Sequence, residues 1–82
     1  MNVRVAVKVP KLTMAAIDAT FTEWLVEDGQ FVEENQPLYV VETENVETEV
    51  PSPASGVLHY GDAKPQEVYA VGTELAVIEV AD

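Results

Sequence analysis

The side chains able to do chemistry in this chain are mostly carboxylates. Glu42, Glu44, Glu47 and Glu49 fall within the stretch VVETENVETEV, which runs from Val40 to Val50. It reads as two short alternating runs meeting at Glu44-Asn45, a two-residue turn, so the carboxylates form an acidic strip along a hairpin. Such a strip can hold a divalent cation weakly, but a solvated charged face is the commoner outcome, and no metal site is expected. His59 is the single histidine, and the chain has no cysteine. Without a serine–carboxylate arrangement around it, His59 reads as a strand-surface residue rather than a general base. No glycine-rich phosphate loop, metal-ligand spacing or nucleophile motif occurs. The expectation is a domain that is not an enzyme by itself.

The turn is well suited to its residues. Asparagine tolerates positive φ and can hydrogen-bond its own backbone, so Glu44-Asn45 should form without help from a bound group. The side-chain nitrogen of Asn45 is an amide nitrogen, whose lone pair is delocalised into the carbonyl. It is not a nucleophile.

The elements that position this tip are strands. Val3, Val5, Val7 and Val9 alternate with Arg4, Ala6 and Lys8, and Pro10 ends the ladder because it has no N–H to give. KLTMAAIDA is short and is followed at once by the β-branched TFT, so it reads as a loop entering a strand, ATFTEWLV, with Phe21 and Leu25 as the inward candidates. Glu27-Asp28-Gly29-Gln30 is a turn with Gly29 at positive φ, and Phe31-Val32 a minimal strand. Asn35-Gln36-Pro37 turns into a strand ending at Thr43. The return strand stops at VPSPASG, and GVLHY, VYAVG and TELAVIEV complete the set, VYAVG as a short strand or a turn. About eight short strands with turns between them and no convincing helix mean a sandwich or small barrel.

An internal echo sharpens this. NQPLYVVE, from Asn35, aligns with GTELAVIE, from Gly72, at an offset of 37 residues. The same offset lays Thr20 over Val57 and Val32 over Tyr69. Two similar halves would bury each other's apolar faces. The counterpart of the Glu44-Asn45 hairpin would then lie where the first and last strands meet.

Bulk properties bound the rest. The chain has 82 residues, enough for one compact domain over 1–82, and 48% are hydrophobic, which argues against disorder. Fifteen acidic residues against four basic ones give a formal net charge of −11. Such a charge is repelled by nucleic acid and anionic lipid, favours a monomer, and steers the domain towards basic partners. MNVRVAVKVP lacks the apolar run and cleavage site of a signal peptide, so the expected compartment is the cytoplasm, or a mitochondrial matrix or other organelle lumen after processing.

Five blocks together carry a family resemblance: VPKL at Val9, EWLVEDGQFV at Glu23, PLYVVETEN at Pro37, EVPSPASGVL at Glu49 and VGTELAVIEV at Val71. In order and in register from about Val5 to Val80, they resemble the lipoyl domain of the acyltransferase component of 2-oxo acid dehydrogenase complexes. The resemblance implies an all-β, flattened barrel-sandwich of two four-stranded antiparallel sheets with pseudo-two-fold symmetry, and a swinging-arm carrier role. Related biotinyl domains carry methionines on both sides of their modified lysine; here Glu44 and Val46 stand there, so the biotinyl alternative is the weaker one. In lipoyl domains the tip reads Glu-Thr-Asp-Lys-Ala and the lysine holds lipoate. The matching residues here are Glu42, Thr43, Glu44, Asn45 and Val46.

Asn45 removes the ε-amine that lipoylation requires. Lys8, Lys11 and Lys64 lie elsewhere in the pattern, so no cofactor is expected in this chain. Partners implied by the resemblance are the enzymes of a 2-oxo acid dehydrogenase complex, whose basic entrances suit the acidic tip, and lipoate ligase. The alternative of another class is a lipoyl-like interaction module that carries no group. The loop after the opening strand lies beside the tip in the family and distinguishes partners; its residues here are Leu12, Thr13, Met14, Ala15, Ala16 and Ile17. Core filling by Met14 or Ile17 weighs more than display of both in an exposed recognition patch. Gln66, where the family often has glycine, is expected to adopt a left-handed turn less readily than Asn35.

Overall fold

The computed structural model describes residues 3–81. Eight strands follow one another: β1 (Val3–Lys8), β2 (Asp18–Trp24), β3 (Phe31–Val32), β4 (Pro37–Thr43), β5 (Val46–Pro51), β6 (Gly56–Tyr60), β7 (Glu67–Ala70) and β8 (Glu74–Val80). They form two four-stranded sheets, ordered β1-β8-β6-β3 and β5-β4-β2-β7, and all pairings are antiparallel. The sheets pack as a flattened barrel-sandwich without closing into one ladder, and no helix occurs among the described residues.

The offset of 37 residues organises this topology. It carries β2, β3 and β4 onto β6, β7 and β8, and β5 takes the place of β1, so one sheet order becomes the other. Four left-handed residues obey the same rule: Gly29 (φ 86°) matches Gln66 (φ 69°), and Asn35 (φ 74°) matches Gly72 (φ 91°). Backbone hydrogen bonds repeat as well. The Gly29 N–H donates to the Leu58 carbonyl at 2.7 Å, and the Gln66 N–H donates to the Phe21 carbonyl at 2.7 Å. Ser52 N–H reaches Gln36 O at 2.8 Å where Val9 N–H reaches Thr73 O at 3.0 Å. The Val3–Val80 pair is the counterpart of Thr43–Val46, so the hairpin base and the meeting of first and last strands are equivalent positions.

Both halves feed one core. Phe21, Val32, Leu38, Tyr39, Val41, Leu58, Leu75 and Ile78 are fully buried. Each large aliphatic side chain so buried contributes about 1.5–3 kcal/mol of transfer free energy. At one end Trp24 stacks on Tyr60 with centroids 4.8 Å apart and meets Phe21 and Tyr39 edge-on at 5.1 and 5.4 Å. The buried Tyr39 hydroxyl donates to the Lys8 carbonyl at 2.9 Å, tying the two sheets together. Ser52 is the one buried polar residue among those described, and its hydroxyl donates to the Ala54 carbonyl at 2.7 Å. That bond fixes the bend in VPSPASG.

Two expectations need correction. Leu25 is 40% exposed rather than inward. A bulge between Phe21 and Glu23 breaks the alternation, so Trp24 takes the core-facing place and the strand ends there. Gln66 does adopt the left-handed turn. Its side-chain amide donates to the Thr22 carbonyl at 3.3 Å, which anchors the turn in the absence of glycine.

Candidate functional site

The β4–β5 hairpin closes through Glu44 and Asn45, with Thr43 and Val46 paired at its base. Both tip residues have positive φ, 51° and 66°, the signature of a type I′ turn, whose twist matches that of the flanking strands. Asparagine suits this conformation. Glutamate does so less well, because its longer side chain gains little local hydrogen bonding to offset the crowding of Cβ. Glu44, Asn45 and Val46 are all exposed.

Beneath the tip the carboxylates divide. Glu42 and Glu47 stand directly opposite each other across the two strands, and Glu49 faces Val40 on the same outer surface. Glu23 joins them from β2, also opposite Val40. Glu44 belongs to the apex instead of the strip. Among the described residues, no three His, Asp or Glu side chains converge in a way that could hold a metal ion.

The loop between β1 and β2 lies against this hairpin. It is pinned by Ala16 N–H to Thr13 O at 3.2 Å and by Val71 N–H to Ile17 O at 2.9 Å. Met14 is 92% exposed and Ile17 78%, which overturns the expectation of core filling. Alanines at 15 and 16 and the tight turn hold the loop outside the core, and Leu12 alone of the group packs against it. Thr13, Ala15, Ala16 and Ile17 line a cleft of about 280 Å³ together with Glu42, Thr43 and Glu44. The cleft thus joins the two regions that the sequence singled out, while Met14, Asn45 and Val46 project beyond its lining.

Asp18, Ala19, Thr20 and Val68 complete the cleft and had not been singled out. Thr20 lies in register with Glu42 on one side and Val68 on the other, forming an outer row of the sheet. The offset between the halves held that signal: Val68 is the counterpart of Phe31, and each is 60% exposed. His59 lies on the outer face of the other sheet, with Nε2 3.6 Å from Glu79 Oε1. Lys8 is on β1 opposite Glu74, Lys11 is exposed after it, and the Lys64 N–H donates to the Tyr69 hydroxyl in a separate loop.

Comparison with known proteins agrees with this architecture. The family model described as "biotin-requiring enzyme", the biotin/lipoyl family, matches residues 5–78. The chain is 38% identical over 77 residues to the dihydrolipoyllysine-residue acetyltransferase component of the pyruvate dehydrogenase complex of Corynebacterium glutamicum, covering 94% of this chain and 11% of that protein. It is 44% identical over 73 residues to the corresponding component of Mycobacterium bovis, covering 89% and 13%. Against the mitochondrial dihydrolipoyllysine-residue succinyltransferase component of the 2-oxoglutarate dehydrogenase complex of Saccharomyces cerevisiae, identity is 31% over 74 residues, covering 90% and 16%. The chain therefore spans between about a tenth and a sixth of the length of these relatives. With two matched four-stranded sheets, an exposed hairpin and relatives of this kind, the chain belongs to the biotin/lipoyl attachment domain family and resembles the lipoyl domains of 2-oxo acid dehydrogenase acyltransferases.

Proposed function

We propose that this chain is a lipoyl-type domain that keeps the carrier architecture and its docking surface but bears no lipoate. The observation carrying this reading is Asn45: exposed at the apex of a type I′ turn, it offers a carboxamide at the position that the family resemblance matches to the acceptor lysine. An amide bond to lipoate needs a free amine, and a carboxamide nitrogen does not supply one. The residues present do not fit the group, so no acyl-transfer step runs through this tip. The domain is non-catalytic, and its work is recognition by the enzymes of a 2-oxo acid dehydrogenase complex. The exposed Met14 and Ile17 beside the hairpin favour a second form of the same idea, a dedicated interaction module.

Incubation with lipoate ligase, lipoate and ATP, followed by intact-mass measurement, tests the reading. No mass gain is expected for this chain, and a gain of one lipoyl group for Asn45→Lys. A gain on the unaltered chain would refute the proposal. No gain on Asn45→Lys would leave the interaction module and discard the carrier ancestry of the surface.

A further inference from the structure

The Glu44-Asn45 turn is the covalent link between β1–β4 and β5–β8, yet most of what holds the fold together passes between those two halves. The ladders β1 with β8, β3 with β6, β4 with β5 and β2 with β7 cross from one half to the other. Those of β2 with β4 and β6 with β8 stay within one half. The core is divided in the same way: Phe21, Leu38 and Val41 from the first half share one cluster with Leu58, Leu75 and Ile78 from the second. Neither half can bury its apolar face alone. What each requires is the complementary half, whichever copy of the chain supplies it.

The turn that joins them is a strained closure. Glu44 and Asn45 both have positive φ, 51° and 66°, and glutamate is disfavoured there. Short connections under strain favour the exchange of elements between copies. The register permits that exchange without loss. From Tyr39–Val50 to Thr43–Val46 the pairing of β4 with β5 advances one residue at a time with no bulge. If β4 and β5 run on as one strand, two copies lying antiparallel about the former turn meet in this same register. Glu42 again faces Glu47, Thr43 again faces Val46, and Glu44 of each copy comes opposite Asn45 of the other. Met14, Ile17 and Val46, all exposed, lie at this end of the molecule, where the two exchanged bodies adjoin.

We infer that this chain forms an exchanged dimer with a second copy of itself, β1–β4 of each copy pairing with β5–β8 of the other through an opened Glu44-Asn45 turn. The like-charged Glu42–Glu47 pair is present in both forms and does not bias the exchange. Release of two strained turns favours the dimer. The net charge of −11 on each chain opposes it until salt screens the repulsion. Because the ladders between halves must part first, exchange proceeds through unfolding, and a dimer once formed is long-lived. The exchanged particle displays each outer surface twice, so any partner contact becomes bivalent.

The test begins with the chain unfolded in urea and refolded at about 1 mM in about 0.5 M salt. Size-exclusion chromatography with light scattering should then show a dimer that persists on dilution in the cold. Glu44→Asn, whose turn closes without strain, should lower the association constant at least about fivefold. The chain has no cysteine, so introduced thiols report the pairing. Glu42→Cys and Glu47→Cys chains, refolded together and oxidised, should crosslink position 42 of one to position 47 of the other, as located by peptide mass. A chain carrying both substitutions, oxidised first as a dilute monomer, should stay monomeric because its hairpin cannot open. Absence of a dimer, a dimer formed by the locked chain, or one unmoved by Glu44→Asn would overturn the proposal. None of these readouts depends on lipoate ligase, so this inference and the lipoyl-type reading fail separately.

Discussion

Gln66 and Gly29 hold the same left-handed backbone, φ 69° and 86°, at equivalent points of two half-domains. One position is filled by the residue that conformation favours and the other by a residue it disfavours. The contrast gives a direct measure of backbone strain. Gly29→Ala should destabilise the fold by about 1 kcal/mol, although a Cβ there meets nothing within 4 Å. Gln66→Gly should gain up to about 1 kcal/mol, reduced by the lost bond to Thr22. Chemical denaturation of both variants checks the pair of signs.

The hairpin tip offers a second site of relief. Glu44 occupies φ 51° in a type I′ turn, where asparagine, aspartate or glycine is favoured. Glu44→Asn should raise stability by about 0.5–1 kcal/mol and slow amide exchange at Thr43 and Val46. A loss of stability would show that Glu44 makes a compensating contact.

Gly56 is constrained by proximity. A Cβ there would collide with the Glu79 backbone and come within 2.9 Å of Ile78 Cγ2. Because β6 and β8 are adjacent central strands, neither can retreat without disturbing the core. Gly56→Ala should cost about 2–3 kcal/mol, seen as a lower denaturation midpoint with unchanged slope.

Burial holds the Tyr39 phenol up at about 12, above its ordinary value of 10. The protonated form is the one the fold accepts, so its contribution is intact below pH 10 and is lost as pH rises towards 12. At about 1.4 kcal/mol per unit, the loss approaches 3 kcal/mol. Tyr60 is also raised, by burial first and then by Asp28 and Glu27, and adds to the same alkaline slope. Stability curves in this window should be flatter for Tyr39→Phe, which in turn sacrifices the hydrogen bond to Lys8, about 1 kcal/mol at neutral pH.

Alternation made the strands legible, and the 37-residue echo anticipated how they divide between two sheets. What escaped notice was not periodic. The bulge after Phe21 depends on how β2 meets β4, and it alone exchanges Leu25 for Trp24 at the core. Met14 and Ile17 are apolar, so composition favoured burial; their exposure follows from a loop held by backbone hydrogen bonds to Thr13 and Val71. Gln66 adopts a glycine-like conformation because a distant carbonyl, that of Thr22, receives its amide. The hairpin could be located from residues alone, and the loop beside it through the family resemblance. Their union in one cleft, with Asp18, Thr20 and Val68 as the connecting wall, required the pairing of β2 with both β4 and β7.

The equivalence of Val3–Val80 with Thr43–Val46 gives the molecule two interchangeable seams, one joined by a turn and one where the first and last strands meet. Stitching the second seam with a two-residue reverse turn and cutting the first between Glu44 and Asn45 would preserve all six strand ladders. A circular permutant opened at the apex should therefore assemble into the same sandwich, with its new ends emerging from the former hairpin tip.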